Sequence, residues 1–522
     1  MDSEKIQLLI AMVSYMLIVI GIGVFFARRS HANSENYFLG GRSLGPWVAA
    51  MSAEASDMSG WLLMGLPGVA YWCGIADAAW TAIGLAVGTY INWLIVSKRL
   101  RAYSIVSGDA ITVPDFLSNR FHEKKKVILG IAAVFILIFF TVYAASCFVT
   151  CGKLFSGLFG YSYHSMMIVG AAFVLLYTIL GGFLAESASD FMQAVVMIIA
   201  LVGVLVCGVV HAGGFGAVIE NAKAIPGYLT LVEQATPVVD EAGVQLSSNG
   251  SPLFGEASSY GFITILSTLS WGLGYFGMPQ VLLRFMAIRK SSELKRSRRI
   301  ATVWVLISLT CAVFIGVLGR YLLATDTALA TQSGAENVFA NLAKLLFHPL
   351  LAGVVMAGIL AATISSSDSY LLIAASAVSK NLFEGIIRKN ATDKQVMRVS
   401  RIMLVVITVI GMAIAWDDDS VIFDIVSFAW SGFGATFGPI MLFSLFWKRT
   451  NRPGAIAGMV SGGVMVFVWK LLLKPLGGIF GIYELMPAFI ISSIFIVVVS
   501  LLTEKPSKEL EDEFDNAKNY TE

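Results

Sequence analysis

Charged side chains are scarce in this chain, and their scarcity is the first guide to its class. Asp, Glu, Lys and Arg make up 13% of the 522 residues, whereas 57% are hydrophobic. A soluble globular protein carries about a quarter charged residues, so this composition excludes an ordinary soluble enzyme and predicts a chain solvated by lipid. The net charge of +2 also gives no basic surface of the kind that binds nucleic acid.

Cysteine and histidine are also rare, at five residues each. Cys147 and Cys151 are one helical turn apart, but no histidine lies near them, so we expect neither a structural metal site nor a catalytic cluster. Buried single thiols behave as small hydrophobic side chains. The chain is therefore predicted to be neither an enzyme nor a holder of any resident cofactor. All five cysteines fall in apolar segments: Cys73, Cys147, Cys151, Cys207 and Cys311.

Long apolar runs dominate what is present. A membrane-spanning helix needs about 20 predominantly apolar residues, and the first run meets that length without a small-residue cleavage site after it, so we expect no cleaved signal peptide. The fold class predicted is an all-α polytopic membrane protein. Thirteen spans are expected: Ile6–Ala27, Pro46–Tyr71, Trp80–Val96, Val127–Thr150, Ser165–Phe183, Phe191–His211, Phe262–Met286, Ile300–Leu323, Leu351–Val378, Ile402–Trp416, Val421–Trp447, Ala455–Leu473 and Met486–Leu502.

Lysine and arginine are concentrated in alternate loops, for example around Lys98, Lys124, Arg289 and Lys448. Positive loops stay on the cytoplasmic side, so the N-terminus is predicted outside the plasma membrane and the C-terminus on its cytoplasmic side. The long loop from Ala212 to Gly261 is acidic, as expected of an outer loop. Residues 1–507 are predicted to form one transmembrane domain, followed by a short cytoplasmic tail at 508–522.

Two of the predicted spans are interrupted by glycine and proline. The first interruption reads ASDMSGWLLMGLPG from Ala55 to Gly68, and the second reads WGLGYFGMPQ from Trp271 to Gln280. Lipid cannot satisfy the backbone groups that a broken helix frees, so paired breaks point to the binding site of an inverted-repeat transporter. Each break opens a block of five spans, which predicts a five-plus-five inverted repeat over residues 46–211 and 262–447. The extra helices are 6–27, 455–473 and 486–502.

The same segments carry a family resemblance over Tyr37 to Leu502. GGRSLGPWVAAMSAEASDMSGWLLMGLPG, YTILGGFLAESASDFMQA, WGLGYFGMPQVLLRFMA and ILAATISSSDS resemble the sodium/solute symporter family, and within it most closely the bacterial proline-transporting members. The resemblance implies a LeuT-like fold and import of L-proline by alternating access, driven by co-transported Na⁺. Another small solute, such as pantothenate or a different amino acid, remains the alternative, followed by a transporter-like sensor. The oligomeric state is left open.

A sodium site follows from the resemblance. It assigns carbonyl ligands at Ala55, Met58 and Ala362, and hydroxyl ligands at Ser365 and Ser366. Positions 362, 365 and 366 have the spacing of one helical face, which agrees with a shared ligand. The alternative is that these serines are small residues that ease helix packing.

Carboxylates inside spans are costly and are functional candidates by default. Asp57 is predicted to be ionised beside the cation or the solute amine, or else to cap the broken helix. Glu54, three residues earlier, departs from the small residue expected in the proline-transporting members, and its role is left open. Asp190 and Asp368 are candidates for a second sodium site or for gating, although one Na⁺ per solute is the default.

The solute is expected between the two breaks. Freed amides near Ser59, Gly60 and Trp61 suit a carboxylate at a half-helix N-terminus. The resemblance assigns the proline pocket to Tyr143, Trp271, Tyr275 and Pro279, whose aromatic faces suit a pyrrolidinium ring; interfacial aromatics are the alternative. Arg42, just before the second span, is interpreted either as part of an inner gate or as an anchor at the membrane interface.

Overall fold

The structure is a computed structural model, which describes residues 3–30, 34–248 and 250–520. Helices make up most of the described chain, as the apolar runs predict. Those of the N-terminal half are α1 Ser3–Ser30, α2 Ser34–Leu39, α3 Pro46–Gly60, α4 Leu66–Cys73, α5 Ile75–Ile91, α6 Ser97–Val106, α7 Val113–Arg120, α8 Val127–Phe159, α9 Tyr163–His211 and α10 Phe215–Lys223. Those of the C-terminal half are α11 Phe262–Leu269, α12 Pro279–Ala287, α13 Leu294–Leu322, α14 Gln332–Ala335, α15 Val338–Leu346, α16 Pro349–Ser376, α17 Asp393–Ile414, α18 Ile422–Phe446, α19 Arg452–Val468, α20 Leu485–Leu502 and α21 Lys508–Asn519.

Short 3-10 and π-helical segments join or extend these helices. The π segments are Trp61–Gly65, Asn92–Val96, Ala377–Ile387 and Trp469–Leu473, and the 3-10 segments are Gly40–Arg42, Ser270–Phe276, Ser291–Glu293, Thr327–Leu329, Lys474–Leu476 and Gly478–Gly481. The loop after α10 contains four two-residue strands in two antiparallel pairs: β1 Glu233–Gln234 with β4 Ser258–Ser259, and β2 Ser247–Ser248 with β3 Ser251–Pro252. These strands are the small exception to the all-α expectation.

Ten helices of the described residues are long and apolar enough to cross a membrane. The two most deeply buried of them are α16 and α18, whereas α1, α17, α19 and α20 are largely exposed to the surroundings. α16 packs against α1, α3, α8 and α9, so it forms the centre of the bundle. The outer faces of the peripheral helices carry exposed apolar side chains such as Leu17 and Ile199, as expected of surfaces in contact with lipid.

The fifth and sixth predicted spans are separated by a kink at Gly182, at φ 69° and ψ 173°, where two helices meet within α9. The predicted linking segment, residues 184–190, is wrong as a loop, because the chain is helical on both sides of that glycine. Glu186 and Asp190, expected between the spans, are therefore fully helical and buried. Their carboxylates pair with a buried arginine, described below, which lets the polar segment stay inside the bundle.

The broken segment from Ser270 to Phe276 lies unusually close to α5. A Cβ atom placed on Gly84 would lie 2.6 Å from the carbonyl oxygen of Leu269, and one on Gly88 would collide with the backbone of Gly272. Only glycine permits this approach of two backbones. The contact fixes one side of the second break, while Asn92 donates a 2.9 Å hydrogen bond to the freed carbonyl of Tyr275.

Candidate functional site

The first break lies at Ser59, near the end of α3. Its φ of 47° and ψ of −172° interrupt the helix, a conformation that L-residues other than glycine adopt at a cost. The Ser366 hydroxyl accepts a 2.9 Å hydrogen bond from the Ser59 amide, and the Ser59 hydroxyl accepts one of 3.2 Å from the Trp61 amide. Serine side chains therefore satisfy the amides that the break frees.

Four of the five predicted sodium ligands meet at the contact between α3 and α16. Ser365 donates hydrogen bonds to the carbonyls of Ala55 and Ala362, at 2.8 and 3.1 Å. Ser366 donates to the Ala55 carbonyl at 3.2 Å. All four residues are fully buried. The helical face predicted at 362, 365 and 366 is thus turned toward the broken helix, and it collects uncharged oxygens of the type that Na⁺ coordinates in such folds.

The fifth predicted ligand, the Met58 carbonyl, lies at the break itself. It accepts a hydrogen bond from the Trp61 amide, which closes the end of α3. The Asp57 carbonyl next to it is capped by two phenols, because Tyr143 and Tyr370 donate to it at 3.2 and 3.3 Å. The two tyrosine rings stack with centroids 4.2 Å apart. Tyr143, predicted to line the proline pocket, therefore contacts the break, and so does Tyr370, which sequence reasoning did not identify.

The Asp57 side chain is buried and faces the second broken helix. Gln280 on α12 donates a 3.2 Å hydrogen bond to its carboxylate, and the Tyr275 hydroxyl lies beside it. Glu54 is also buried, and one of its oxygens accepts a 3.2 Å hydrogen bond from the Trp93 indole. Two carboxyl groups on adjacent turns of α3 are thus buried, with Asp57 facing α12 and Glu54 facing the segment between α5 and α6.

An aromatic wall lies beside the breaks. The rings of Trp61 and Trp271 stack with centroids 5.6 Å apart, and Tyr483 stacks on the other side of Trp271 at 5.1 Å. The Trp430 indole fixes this arrangement by donating to the Trp271 carbonyl at 2.8 Å. Pro279 begins α12 and also lines a small cavity with Phe38 and Leu372.

Several polar atoms near this wall are buried without a hydrogen-bond partner among the described residues. They include the Trp61 indole nitrogen, one Glu54 oxygen and the Gln280 amide oxygen. Unpaired buried polar atoms are rare because they cost free energy. These atoms are therefore candidates to hydrogen-bond a polar ligand.

A second buried polar cluster joins four helices behind this site. The Arg284 guanidinium on α12 pairs with Glu186 and, at 3.1 Å, with Asp190, both on α9. It also donates to Ser52 on α3 at 2.9 Å and to Ser369 on α16 at 3.1 Å. Asp368 lies near the same group. The predicted pair of Asp190 and Asp368 is thus brought together around an arginine.

Sequence reasoning missed Arg284, Glu186 and Gln280. An available signal was the arginine within the predicted seventh span, because ionisable residues in spans are rare and usually paired. No comparable signal identified Gln280, since an amide is common in both buried and exposed positions.

Both ends of the site are closed by polar contacts. On the side of the basic loops, Arg42 donates to Asp109 at 2.8 Å and to the Met286 carbonyl at 2.7 Å. The chain ends entering α3 and leaving α12 also pair, because Leu44 exchanges backbone hydrogen bonds with Ala287 and Arg289. Arg42 therefore joins the segment before α3 to the end of α12, so that one side chain contacts both broken helices.

On the opposite side, Lys153 on α8 pairs with Glu336 at 2.6 Å. The Glu336 carboxylate also accepts the amides of Ile422 and Phe423, each at 3.0 Å, at the start of α18. Burial raises the pKa of Glu336, and the neighbouring Lys153 ammonium opposes that rise. This contact joins three elements at that end of the site: α8, α18 and the segment before α15.

Comparison with known proteins was made on the whole chain. The profile described as "SSF: Sodium:solute symporter family" matches residues 37–462. The sodium/proline symporter of Escherichia coli strain K12 is 41% identical over 512 residues, covering 98% of this chain and 96% of that protein. The sodium/proline symporter of Staphylococcus aureus strain USA300 / TCH1516 is 39% identical over 520 residues, with the same coverage.

Two solved structures show a related fold. A Na⁺-coupled sialic acid symporter, in a substrate-bound outward-open state, superposes with a TM-score of 0.75 at 16% identity, covering 96% of this chain and 99% of its own. Mhp1, a nucleobase-cation-symport-1 family transporter in a closed conformation, gives 0.54 at 12% identity, covering 93% and 100%. The family resemblance carried by the sequence motifs is confirmed, and the chain belongs to the sodium:solute symporter family.

Proposed function

We propose that this chain imports L-proline together with Na⁺ by alternating access. Its family is one of transporters rather than enzymes, and Na⁺ is cargo rather than a resident cofactor. The observation that carries the proposal is the contact of the Ser365 and Ser366 hydroxyls with the Ala55 carbonyl, directly beside the break that bears Asp57 and Trp61. Ion and solute sites on one broken helix are the arrangement that couples their binding.

The ion is bound by oxygens of Ala55, Met58, Ala362, Ser365 and Ser366, with Asp57 supplying nearby negative charge. We propose one Na⁺ for each solute. The Asp190 carboxylate is already paired with Arg284 and Ser52, which favours a gating role for Asp190 and Asp368 over a second sodium site. The cluster joins α3, α9, α12 and α16, the helices that must shift when the site opens.

The amides of Ser59 and Trp61 are already bonded within the break, so the solute carboxylate lies beside Ser59, Gly60 and Trp61 and accepts from the unpaired Trp61 indole nitrogen, while its amine lies toward Asp57. The five-membered ring packs on Trp61, Trp271 and Tyr275, since aromatic faces attract a cationic ring both by apolar contact and electrostatically. Tyr143 stabilises the break, and Pro279 fixes the start of α12. Curated relatives named sodium/proline symporters support this choice of solute.

Thirteen spans are proposed, in the five-plus-five LeuT-like arrangement of residues 46–211 and 262–447. Ten long apolar helices, the broken α3–α4 segment, and the shorter apolar helices Tyr163–Ile179 and Phe262–Phe276 support that number. The basic loops support an outer N-terminus and a cytoplasmic C-terminus in the plasma membrane. Residues 1–507 form the transporter, and the tail at 508–522 includes α21, whose Phe514 packs on Tyr103.

Transport follows from breaking the two closures in turn. Separation of Lys153 and Glu336 opens the outer end of the site, and separation of Arg42 from Asp109 and Met286 opens the inner end. Na⁺ binding holds α3 against α16, which completes the pocket at the break. The proposal therefore predicts that the ion favours the conformation that binds the solute.

Uptake of labelled L-proline into proteoliposomes tests the proposal. An inward Na⁺ gradient should drive accumulation above equilibrium, and dissipating that gradient should abolish it. Unlabelled pantothenate and other amino acids serve as competitors. If one of them is accumulated and proline is not, the ion site remains and the named solute is wrong; if none depends on Na⁺, the coupled mechanism is wrong.

A further inference from the structure

A basic groove lies at the end of the bundle that carries the positive loops, between α6 and α13. We use this name for the open cavity of about 940 Å³ that Lys98, Arg289, Lys290, Lys295 and Arg298 line together with Trp93 and Leu94. Tyr520 of the tail also lines it, and Trp93 reaches Glu54 on α3, but no residue of either break is part of its lining. The site described above therefore does not account for it.

Among the described residues, most of this positive charge has no acidic partner. Arg289 pairs with Glu293 at 2.7 Å. In the described ranges, Lys98, Lys290 and Lys295 have no carboxylate within salt-bridge distance. Arg298 stacks on Tyr90, with its guanidinium 5.3 Å from the ring centroid, and its buried Nε has no hydrogen-bond partner among the described residues. The groove thus offers several donors and an excess of positive charge.

The groove adjoins an apolar surface along the membrane span. Leu94 lies in the groove and is exposed, and Tyr90 and Val87, exposed as well, follow it along the same face of α5. On α13, the exposed Val303 and Leu306 lie one to two turns beyond Arg298. An extended apolar chain can therefore lie along the helices while a negative group attached to it occupies the groove.

We propose that the basic groove binds the phosphate of an anionic phospholipid, with an acyl chain along α5 and α13. Basic pockets between spanning helices at this level are known to bind anionic headgroups. The apolar surface and the interfacial Tyr90 favour a lipid over a soluble phosphate, because only a lipid contacts both parts. The positive-inside rule explains basic residues near helix ends, but it requires neither a groove nor an unpaired arginine nitrogen.

The test uses the full chain in a neutral detergent. Native mass spectrometry counts bound dioleoyl phosphatidylglycerol, which is anionic, with the zwitterionic, net-neutral dioleoyl phosphatidylcholine as the comparison. One variant carries Lys290→Gln, Lys295→Gln and Arg298→Gln. The matched control carries Lys124→Gln, Lys125→Gln and Lys389→Gln, which removes the same charge from exposed positions outside the groove.

Each basic residue near a lipid surface changes binding about fivefold, so the groove variant should bind phosphatidylglycerol about a hundredfold more weakly. The control should bind within about threefold of the parent chain, and excess inorganic phosphate should not displace the lipid. Equal losses in both variants, or displacement by inorganic phosphate, overturns the proposal. If the triple variant does not fold, the Lys290→Gln and Lys295→Gln single variants serve, each with an expected fivefold loss. The result is independent of which solute is transported.

Discussion

The hydroxyls of Ser365 and Ser366 provide the sharpest test of the ion site. Both contact the Ala55 carbonyl on the broken helix, at 2.8 and 3.2 Å. Replacing both serines by alanine removes two of the proposed oxygen ligands and leaves the carbonyls in place. A polar contact to a charged group contributes about 1.5–3 kcal/mol, and 1.4 kcal/mol corresponds to about a tenfold change in an equilibrium constant.

Taking the lower figure for each hydroxyl, the double variant should need about a hundredfold more Na⁺ for half-maximal uptake. Each single variant should need about tenfold more. Uptake of labelled proline into proteoliposomes, measured over a series of Na⁺ concentrations, gives these values directly.

Ser367→Ala is the matched control. Its hydroxyl is equally buried on α16 but bonds to the Thr363 carbonyl of its own helix at 2.6 Å. This variant should leave the Na⁺ dependence unchanged. A double variant that inserts normally and keeps the parent's Na⁺ dependence would refute the assignment, as would an equal shift in Ser367→Ala.

Three further outcomes follow from the site. Asp57→Asn should reduce uptake at least about tenfold while Asp57→Glu retains part of it, because an amide cannot replace a buried charge near a cation; wild-type uptake by a properly inserted Asn variant would contradict this role. Trp271→Ala should weaken proline binding about thirtyfold or more, the loss typical of a central aromatic contact. Its Na⁺ affinity, measured without proline, should stay within about threefold of the parent's. Calorimetry measures the two affinities separately. Arg284→Gln leaves Glu186 and Asp190 buried without their cation, so it should destabilise the protein by about 3–5 kcal/mol. The loss is measured as a lower thermal unfolding temperature in detergent. Arg289→Gln, at an exposed pair, should not change the unfolding temperature.

The sequence was sufficient for the parts of the fold set by long apolar runs and by paired interruptions. Glycine and proline near Ser59 and Gly277 predict breaks because lipid excludes unsatisfied backbone groups, and the structure interrupts both helices there. The spacing of Ala362, Ser365 and Ser366 was similarly informative, since one helical face must turn toward one neighbour.

Contacts between distant helices were not available from local patterns. Glu186 and Asp190 follow glycines in a polar stretch that reads as a loop, and only the guanidinium of Arg284, about 100 residues later, permits that stretch to be helical and buried. Lys153 lies beyond the predicted end of the fourth span because its charge ends the apolar run. Its partner Glu336 lets α8 continue to Phe159.

Coupling between ion and solute is the central claim, and equilibrium binding measures it most directly. Labelled proline is bound to the purified chain in sodium chloride and in choline chloride at the same ionic strength. Reciprocal coupling of two ligands is typically about 1–3 kcal/mol, so proline should bind about 5–150-fold more tightly in Na⁺. Equal affinity in the two salts would contradict the proposed coupling of the Ala55 site to the solute.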